Sequence, residues 1–329
     1  MIALAAAFVL AGQALPFTGV NLSGGEFYKP KVGKTPVYLK DFVYPSAAEF
    51  DTFASKGMNV FRIGFLWETL QPEPLKPLVA PEVARLADCV HLATARKLIV
   101  LIDPHNYARY YDRLVGTPEV SDEVFADFWR RLATVFKGDD RVWFGLVNEP
   151  YGVSADRWVT SANAAIRAIR QSGAKNLILV PGVAWTGAWT WNAKYYGVPN
   201  GQAMDRIVDP GKHYAIEVHQ YLDADSSGTK PSVVSRTIGS ERLKDFVDWC
   251  RARKLKAFLG EFAAGDTPDG QAAIEDMLNA MERDRDVWLG FTWWSAGPWW
   301  GDYMFGLEPR EGKDRPQMAW LSSHLQPNR

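Results

Sequence analysis

Cysteine is scarce in this sequence, with two residues in a chain of 329. Cys89 and Cys250 lie in the amphipathic segments 81–97 and 241–254, whose pattern is typical of surface helices. Two cysteines do not make the dense disulfide framework that stabilises small secreted scaffolds. The order of predicted elements places the two segments far apart, so we expect two reduced thiols and no disulfide.

An excess of charge of either sign is also missing. The chain has 37 Lys and Arg against 38 Asp and Glu, which leaves a formal charge of −1. No block of like charge and no basic patch stands out along the chain. We therefore expect no nucleic acid and no membrane surface among its partners.

Long apolar runs are missing from residues 15–329, none of which approaches the 18 apolar residues of a membrane span. Residues 1–14, "MIALAAAFVLAGQA", have the length and small-residue end of a cleavable signal peptide, although the positively charged start is lacking. We expect cleavage after Ala14 and a protein that is secreted or periplasmic.

Several enzyme motifs are absent as well. The chain has no H-E-x-x-H or close His/Cys cluster, no G-x-S-x-G, and no G-x-G-x-x-G after its first apolar run. Asp103, His105 and His219 stay open as a metal-binding set, but without motif support we expect no metal and no cofactor. Two remaining histidines fit helix surfaces and one begins a strand, and we expect all three to be structural or solvated: His91, His324 and His213.

What the chain does have is a repeated alternation of strand and helix patterns. Amphipathic segments such as 124–136 and 156–173, the latter ending at Gly173, separate the apolar runs. Eight apolar, β-branched runs recur: 17–22, 58–65, 97–103, 141–148, 176–182, 213–221, 256–262 and 287–294.

Eight strand–helix repeats predict parallel strands joined by right-handed crossovers, and eight parallel strands close a barrel. No Gly/Ser/Pro-rich linker divides the chain, so we expect one α/β domain over residues 15–329, a (β/α)8 TIM barrel. A doubly wound sheet is the alternative, which the missing glycine fingerprint disfavours.

Polar side chains follow most of these strands at the point where each strand ends. In a (β/α)8 barrel the carboxyl ends of the strands meet at one mouth, where active sites lie. We therefore expect these groups to share one pocket: Arg62 on the second strand, Asp103, His105 and Asn106 after the third, Asn148 and Glu149 after the fourth, His219, Gln220 and Tyr221 after the sixth, Glu261 after the seventh, and Trp293 and Trp294 on the eighth.

Glu149 and Glu261 would face each other across that mouth. Two carboxyl groups flanking a cleft suit glycoside hydrolysis, in which one donates a proton to the leaving oxygen and the other attacks or activates water. Arg62 and Tyr221 are placed to hydrogen-bond Glu261 and keep it ionised. By strand periodicity Glu217 shares a face with His219 and would support it from below.

These residues resemble glycoside hydrolase family 5, in its endo-1,4-β-glucanase (cellulase) branch of fungi and bacteria. The similarity covers nearly all of residues 15–329. It shows in the segments "GVNLSGGEF", "FRIGFLWETLQP", "DPHNYARYY", "NEP", "WTGAWTW", "HQYLDADSSGT", "GEFAAG" and "WWSAGPWWGDYMFGLEP". "NEP" alone is weak, whereas the segments beginning "HQYLD" and "WWSAG" are far more specific.

The resemblance implies a retaining, double-displacement mechanism on a β-1,4-glucan polysaccharide or cello-oligosaccharide. It implies that Glu149 is the acid/base and Glu261 the nucleophile. Trp294 would stack beneath the reacting sugar, and Trp185 and Trp299 would be platforms in neighbouring subsites. The other residues that it assigns to the reacting sugar are Arg62, His105, Asn148, His219 and Tyr221. Five further tryptophans are expected in the core: Trp129, Trp143, Trp158, Trp249 and Trp288.

Other functions stay open at this point. The same chemistry on mannan, xylan or xyloglucan differs only in loop shape and in contacts to the sugar. A carbohydrate-binding barrel without catalysis would lose one carboxylate, and an intracellular oligosaccharide hydrolase would keep residues 1–14. Few cysteines indicate a bacterial type, and with no binding module in residues 15–329 we expect action on soluble or amorphous glucan, by a monomer.

Overall fold

The computed structural model describes residues 14–327, and eight parallel strands in this range close into a barrel. A two-stranded antiparallel hairpin lies outside it. The strands are β1 (Phe17–Leu22), β2 (Val60–Phe65), β3 (Ile99–Pro104), β4 (Arg109–Tyr110), β5 (Arg113–Leu114), β6 (Val142–Gly145), β7 (Ile178–Pro181), β8 (Tyr214–His219), β9 (Ala257–Glu261) and β10 (Trp288–Ala296). Around the barrel they run β1-β10-β9-β8-β7-β6-β3-β2, with β4 and β5 forming the hairpin. The predicted (β/α)8 barrel is confirmed.

Helices connect the strands. They are α1 (Ala47–Ala54), α2 (Trp67–Leu70), α3 (Ala80–Thr94), α4 (Asp122–Phe136), α5 (Ala155–Gln171), α6 (Asn200–Ala203), α7 (Ile238–Arg253), α8 (Pro268–Arg283) and α9 (Pro316–Ser322). The hydroxyls of Ser121 and Ser154 accept hydrogen bonds from the first turns of α4 and α5. Gly173 has a φ of 90°, the left-handed conformation of a residue that follows a helix end. Both predicted helices are confirmed within two residues.

Strand ends depart most from prediction. The fourth predicted strand, 141–148, is observed as β6 with four residues. Beyond Gly145 the N–H of Leu146 donates to Leu179 on β7, whereas that of Asn148 donates to Pro104 on β3. The chain therefore divides its hydrogen bonds between two neighbours instead of extending one ladder, and this brings Asn148 to the mouth.

The barrel interior changes from apolar to charged along its axis. The layer towards the amino ends of the strands is a buried apolar cluster of Val60, Leu101, Trp143, Leu177, Leu179, Ala215 and Phe258. On three of these strands, the inward-facing residue two positions further along is charged. These residues are Arg62, Asp103 and Glu217, each at most 1% exposed. The charged layer lies on this apolar cluster, which includes the aromatic rings of Trp143 and Phe258.

Several smaller predictions can be compared with the structure. The five tryptophans expected in the core are each at most 7% exposed, and both cysteines are buried and unpaired, as predicted. His324 is a correction, because it is 5% exposed rather than on a helix surface, and its Nδ1 lies 2.8 Å from the carboxylate of Glu282. No helix within residues 14–327 is both long and apolar enough to cross a bilayer. The predicted signal peptide, residues 1–14, lies outside the described residues except for Ala14.

Candidate active site

Glu149 lies four residues beyond the end of β6, with its side chain 13% exposed at the barrel mouth. Its Oε1 is 2.7 Å from His219 Nδ1, which donates a hydrogen bond to it. The backbone φ of Glu149 is 40°, in the left-handed region that costs a non-glycine residue about 1–3 kcal/mol and that recurs at active sites. The surrounding structure thus holds this carboxyl group in place against a local preference.

The pKa of Glu149 is raised above its ordinary value. Burial is the largest cause, and the negative charge of Glu261 adds to it, while the hydrogen bond from His219 acts in the opposite direction. Glu149 therefore retains its proton to a higher pH than an exposed glutamate. That property suits a proton donor.

Glu261, the last residue of β9, is held by two hydrogen-bond donors. Arg62 Nη1 donates to its Oε1 at 3.0 Å, and the Tyr221 hydroxyl donates to its Oε2 at 2.7 Å. Burial, followed by the negative charge of Glu261, raises the pKa of Tyr221 well above its ordinary value, so the phenol remains a donor. Both contacts agree with the predicted hydrogen bonds to Glu261.

Arg62, at the centre of the charged layer, connects the strands beneath the mouth. Burial alone lowers the pKa of Arg62, but the carboxylates around it outweigh that effect and hold the guanidinium charged. Its acceptors are Glu217 Oε1 at 3.0 Å, Glu261 Oε1 at 3.0 Å, Asn21 Oδ1 at 3.1 Å and Asn148 Oδ1 at 2.8 Å, and it forms an ion pair with Asp103 Oδ2 at 3.1 Å. A single cation thus fixes carboxylates and amides from five strands or strand ends.

Asn148 and His105 form a second set of contacts beside Glu149. Since Arg62 donates to Asn148 Oδ1, the amide nitrogen of Asn148 faces His105 Nε2, 3.1 Å away. His105 Nδ1 lies 2.9 Å from Asp103 Oδ2. Burial lowers the pKa of His105, but Asp103 outweighs burial and raises it. The predicted sugar-binding residues His105 and Asn148 are therefore fixed in orientation from beneath.

His219, at the end of β8, lies between the two catalytic candidates. Its Nδ1 is 2.7 Å from Glu149 Oε1 and 3.5 Å from Glu261 Oε2. Burial by itself lowers the pKa of His219, but the carboxylates of Glu261, Glu149 and Glu217 outweigh burial and raise it to about 10. The imidazole is therefore positively charged at neutral pH.

Two depressions open from the mouth and share Tyr107. The Trp185 side, of about 540 Å³, includes Glu149, Trp185, Trp189, His219 and Tyr221 among its lining residues. The Trp294 side, of about 420 Å³, includes Tyr28, His105, Trp294 and Trp300. Together they make a cleft across the mouth, and Glu149 lines its Trp185 side.

The predicted tryptophans differ in position. Trp185 is 44% exposed and is stacked on Tyr151 with a ring-centroid distance of 5.1 Å, and Trp294 is stacked near His105 at 5.5 Å. Trp299 is 39% exposed but does not line either side of the cleft, whereas its neighbour Trp300 does. The platform role of Trp299 stays a prediction.

Sequence reasoning missed several aromatic residues of the cleft, among them Tyr107, Trp189 and Trp300. Trp189 is 50% exposed, and Arg242 lies 4.4 Å from its ring centroid on one face. Both tryptophans lie in the motifs "WTGAWTW" and "AGPWWGD", in which other tryptophans stand close by. The sequence therefore gave no means to distinguish a cleft tryptophan from a core tryptophan such as Trp191.

Among residues 14–327, one group of side chains has the composition and spacing of possible metal ligands. Glu149, His219 and Glu261 each offer an atom within 4.8 Å of the others. Those atoms already have partners, and the guanidinium of Arg62 lies 3.0 Å from Glu261, so a second cation there would meet a fixed positive charge. The set considered from sequence, Asp103, His105 and His219, is not brought together as one cluster. The site geometry thus favours acid–base and nucleophilic chemistry by carboxyl groups.

Comparison with known proteins gives consistent matches. The family model for cellulase (glycosyl hydrolase family 5) matches residues 11–297. Endo-beta-1,4-glucanase B of Aspergillus niger is 40% identical over 295 residues, which is 89% of this chain and 85% of that protein. An endo-beta-1,4-glucanase of Xanthomonas axonopodis pv. citri superposes with a TM-score of 0.91 at 47% identity, covering 94% of this chain and 99% of that one. XacCel5A in complex with cellopentaose superposes at 0.92 with 49% identity and the same coverage.

Proposed function

Because the chain belongs to the cellulase family, glycosyl hydrolase family 5, we propose that it is an endo-1,4-β-glucanase that acts by retaining double displacement. The observation that carries the proposal is the pair Glu149 and Glu261 at the barrel mouth, with one oxygen of each within 4.8 Å of the other. Retaining enzymes place their carboxyl groups about 5–5.5 Å apart, against about 6.5–9.5 Å in inverting enzymes. The spacing supports retention.

In the first step a carboxylate oxygen of Glu261 attacks the anomeric carbon, and the glycosidic C–O bond breaks. The bonding electron pair passes to the leaving oxygen, which takes the proton of Glu149. The raised pKa of Glu149 keeps that proton available, and Arg62 and Tyr221 hold Glu261 in position for attack. The products of this step are a glycosyl ester on Glu261 and a shortened chain.

In the second step Glu149, now a carboxylate, removes a proton from water, whose oxygen attacks the same carbon. Glu261 leaves as a carboxylate, and Glu149 is protonated again. Two inversions restore the β configuration at the anomeric carbon. Retention thus needs one group that changes between acid and base and one that only attacks, which matches the different surroundings of the two glutamates.

The substrate proposal rests on the cleft and on the relatives. Flat, exposed rings suit stacking against the flat faces of glucose units. The relatives from Aspergillus niger and Emericella nidulans are named endo-β-1,4-glucanases, and the structure of XacCel5A is a complex with cellopentaose. We assign Trp294 to the reacting sugar and Trp185 to a neighbouring subsite, with His105, Asn148 and His219 contacting the reacting sugar.

The test is release of reducing sugar from carboxymethylcellulose, β-mannan and xylan. We expect wild type to act on the glucan and both Glu149→Gln and Glu261→Gln to lose at least about a hundredfold in rate. Glu282→Gln is the matched control, because it also neutralises a buried glutamate beside a histidine, at the opposite end of the barrel. Early ¹H NMR of the product should show the β anomer.

The outcomes separate the parts of the proposal. Activity confined to mannan or xylan would overturn the substrate and keep the mechanism. An α anomer as first product would overturn retention. A folded protein with no activity on any of the three polysaccharides would overturn the proposal of hydrolysis and leave a carbohydrate-binding barrel.

The same proposal includes the location and the organisation of the chain. We assign residues 15–329 to one catalytic domain and residues 1–14 to a signal peptide, and we expect a monomer that is secreted or periplasmic. The support is the apolar, small-residue pattern of residues 1–14. The mass of the mature protein recovered from its native host would show whether the chain begins at Leu15.

A further inference from the structure

Glu217, on β8, is a buried carboxylate that the reaction above does not use. It is 1% exposed and lines neither side of the cleft, and its carboxylate lies against Arg62 and His219. Burial of an unpaired carboxylate costs several kcal/mol, so a group in this position needs cationic neighbours. Its Oε1 lies 3.0 Å from Arg62 Nε and 3.5 Å from His219 Nε2.

The space for this carboxylate comes from Gly260, the residue before Glu261. A Cβ at position 260 would lie 2.4 Å from Glu217 Oε1 and 2.8 Å from His219 Nε2. Any larger residue would therefore push Glu217 away from the imidazole. The strand that carries Glu261 leaves room beneath it for the contact between Glu217 and His219.

Among residues 14–327, neither His219 Nε2 nor Glu217 Oε2 makes a hydrogen bond, and Nε2 lies 3.5 Å from Glu217 Oε1 as an ion pair. The imidazole is thus held between carboxylates on both sides, with Nδ1 towards Glu149 and Nε2 towards Glu217. The charged and titratable groups that influence or contact His219 come from several strands: Glu149 after β6, Glu217 on β8, Glu261 on β9, and Tyr221 and Arg62, which contact the same carboxylates.

We propose that Glu217 is a positioning residue that keeps the His219 imidazole as a cation throughout the cycle, so that one positive charge offsets Glu261 before glycosylation and Glu149 after it. The proposal rests on the proposed function. In the first step the charge on Glu261 disappears as its ester forms, and a charge appears on Glu149 as its proton leaves with the sugar oxygen. His219 Nδ1 lies 3.5 Å from Glu261 and 2.7 Å from Glu149, so the same N–H group serves both states.

The charge states of the network support this role. Burial raises the pKa of Glu217, but Arg62 and His219 outweigh burial and lower it, so Glu217 stays ionised at neutral pH. Its negative charge in turn raises the pKa of His219. A carboxylate that takes no part in either step can therefore keep its charge while Glu149 and Glu261 exchange theirs.

The test compares wild type with Glu217→Gln, which removes the charge and keeps the shape. Imidazole ¹⁵N signals of His219, assigned by their loss in His219→Asn, report its protonation in the free enzyme at pH 8. We expect imidazolium in wild type and a shift towards the neutral form in Glu217→Gln, by more than one pH unit in titration. The alkaline limb of kcat/KM should also move to higher pH, because a neutral His219 no longer lowers the pKa of Glu149, which it contacts.

Two further variants exclude a purely structural effect. Glu282→Gln, the buried control, should leave the His219 signals and the alkaline limb unchanged. Glu217→Asp keeps the charge with a shorter reach and should restore part of the His219 pKa. Unchanged His219 protonation in Glu217→Gln would overturn the proposal, even where kcat falls through a packing defect.

A second measurement uses wild type alone. A 2-deoxy-2-fluoro-β-cellobioside with an activated leaving group traps the ester on Glu261, and His219 should remain imidazolium at pH 8 in that state. A neutral imidazole there would overturn the proposal. Because the NMR readings in free enzyme need no turnover, they stand apart from the activity assays that test the proposed function.

Discussion

Glu149 and Glu261 carry the same side chain but have different surroundings. Glu149 is partly exposed to the cleft and contacts an imidazolium, whereas Glu261 is held by a guanidinium and a phenol. Pairs of titratable groups whose environments separate their pKa values are how acid and base roles are divided in one site. At this scale the different neighbours, rather than the residue type, assign the two roles.

The raised pKa of Glu149 predicts a pH profile. The acid must be protonated, so kcat/KM should hold above the pH at which an ordinary glutamate ionises, near pH 4.3, and then fall about tenfold per pH unit beyond the Glu149 pKa. In Glu149→Gln, assayed with an aryl cellobioside whose leaving group needs no proton, that alkaline limb should disappear from the glycosylation step. Stopped-flow release of the aryl group measures it.

The control for this profile is Glu282→Gln, which should keep the wild-type alkaline limb. If the limb persists in Glu149→Gln, the titration of a different group produces it, and the assignment of the limb to Glu149 is wrong. His105, whose pKa is also raised, is the first candidate to examine in that event.

Secondary-structure elements are braced by buried ion pairs away from the cleft. Arg170 on α5 makes two hydrogen bonds of 2.8 Å to the two carboxylate oxygens of Asp209, which lies before β8. Asp209 also accepts from the N–H groups of Gly211 and His213. This carboxylate therefore fixes the loop that leads into the strand carrying Glu217.

Asp209→Asn should destabilise the protein by about 2 kcal/mol at pH 7, because a buried, charge-assisted pair is broken. Burial raises the pKa of Asp209, but Arg170 and the backbone N–H groups outweigh it and hold the pKa below its ordinary value. Its contribution is thus present above the unfolded pKa, near 3.9, and is lost as pH falls through the folded value. Urea unfolding at pH 7 and pH 3 should show the difference shrinking in acid.

Asp156→Asn is the matched control for that element. Asp156, on the same helix as Arg170, pairs with Arg206 on the surface, with side chains 50% and 55% exposed. An exposed pair contributes less than about 1 kcal/mol. An equal loss in both variants would show that Asp209 is no more than a surface contact.

At the scale of the whole molecule, the fold buries its two thiols but does not link them. Cys89 lies on α3 and Cys250 on α7, and both are buried. Burial raises the pKa of both thiols, that of Cys250 to about 12. The fold therefore protects the cysteines both by exclusion of solvent and by suppression of the reactive thiolate.

This enclosure predicts negligible reaction of the native protein with a thiol reagent at pH 8 over an hour, and two reactive thiols once guanidinium unfolds it. The thermal midpoint should not change with dithiothreitol, since no disulfide links the helices. Fewer than two thiols in the unfolded protein would contradict the structure. Absorbance with Ellman's reagent gives the count directly.

Strand and helix patterns in the sequence were enough to predict the barrel, because the periodicity of buried residues is local and the fold follows from eight repeats of it. The same alternation placed Glu217 and His219 on one face of their strand. Strand ends were less predictable, as β6 shows, because the last residues of a strand divide their hydrogen bonds between neighbours that are distant in sequence.

The sequence by itself therefore determined the fold class, most of the groups at the mouth, though not Trp293, which is fully buried, and the absence of a disulfide framework. Only the tertiary structure decided that Trp300 and not Trp299 lines the cleft, that the backbone of Glu149 is strained, that His324 is buried, and that Glu217 contacts His219 beside Gly260. Those features depend on how closed strands stagger against one another. That stagger sets distances between residues far apart in sequence, and no local pattern contains it.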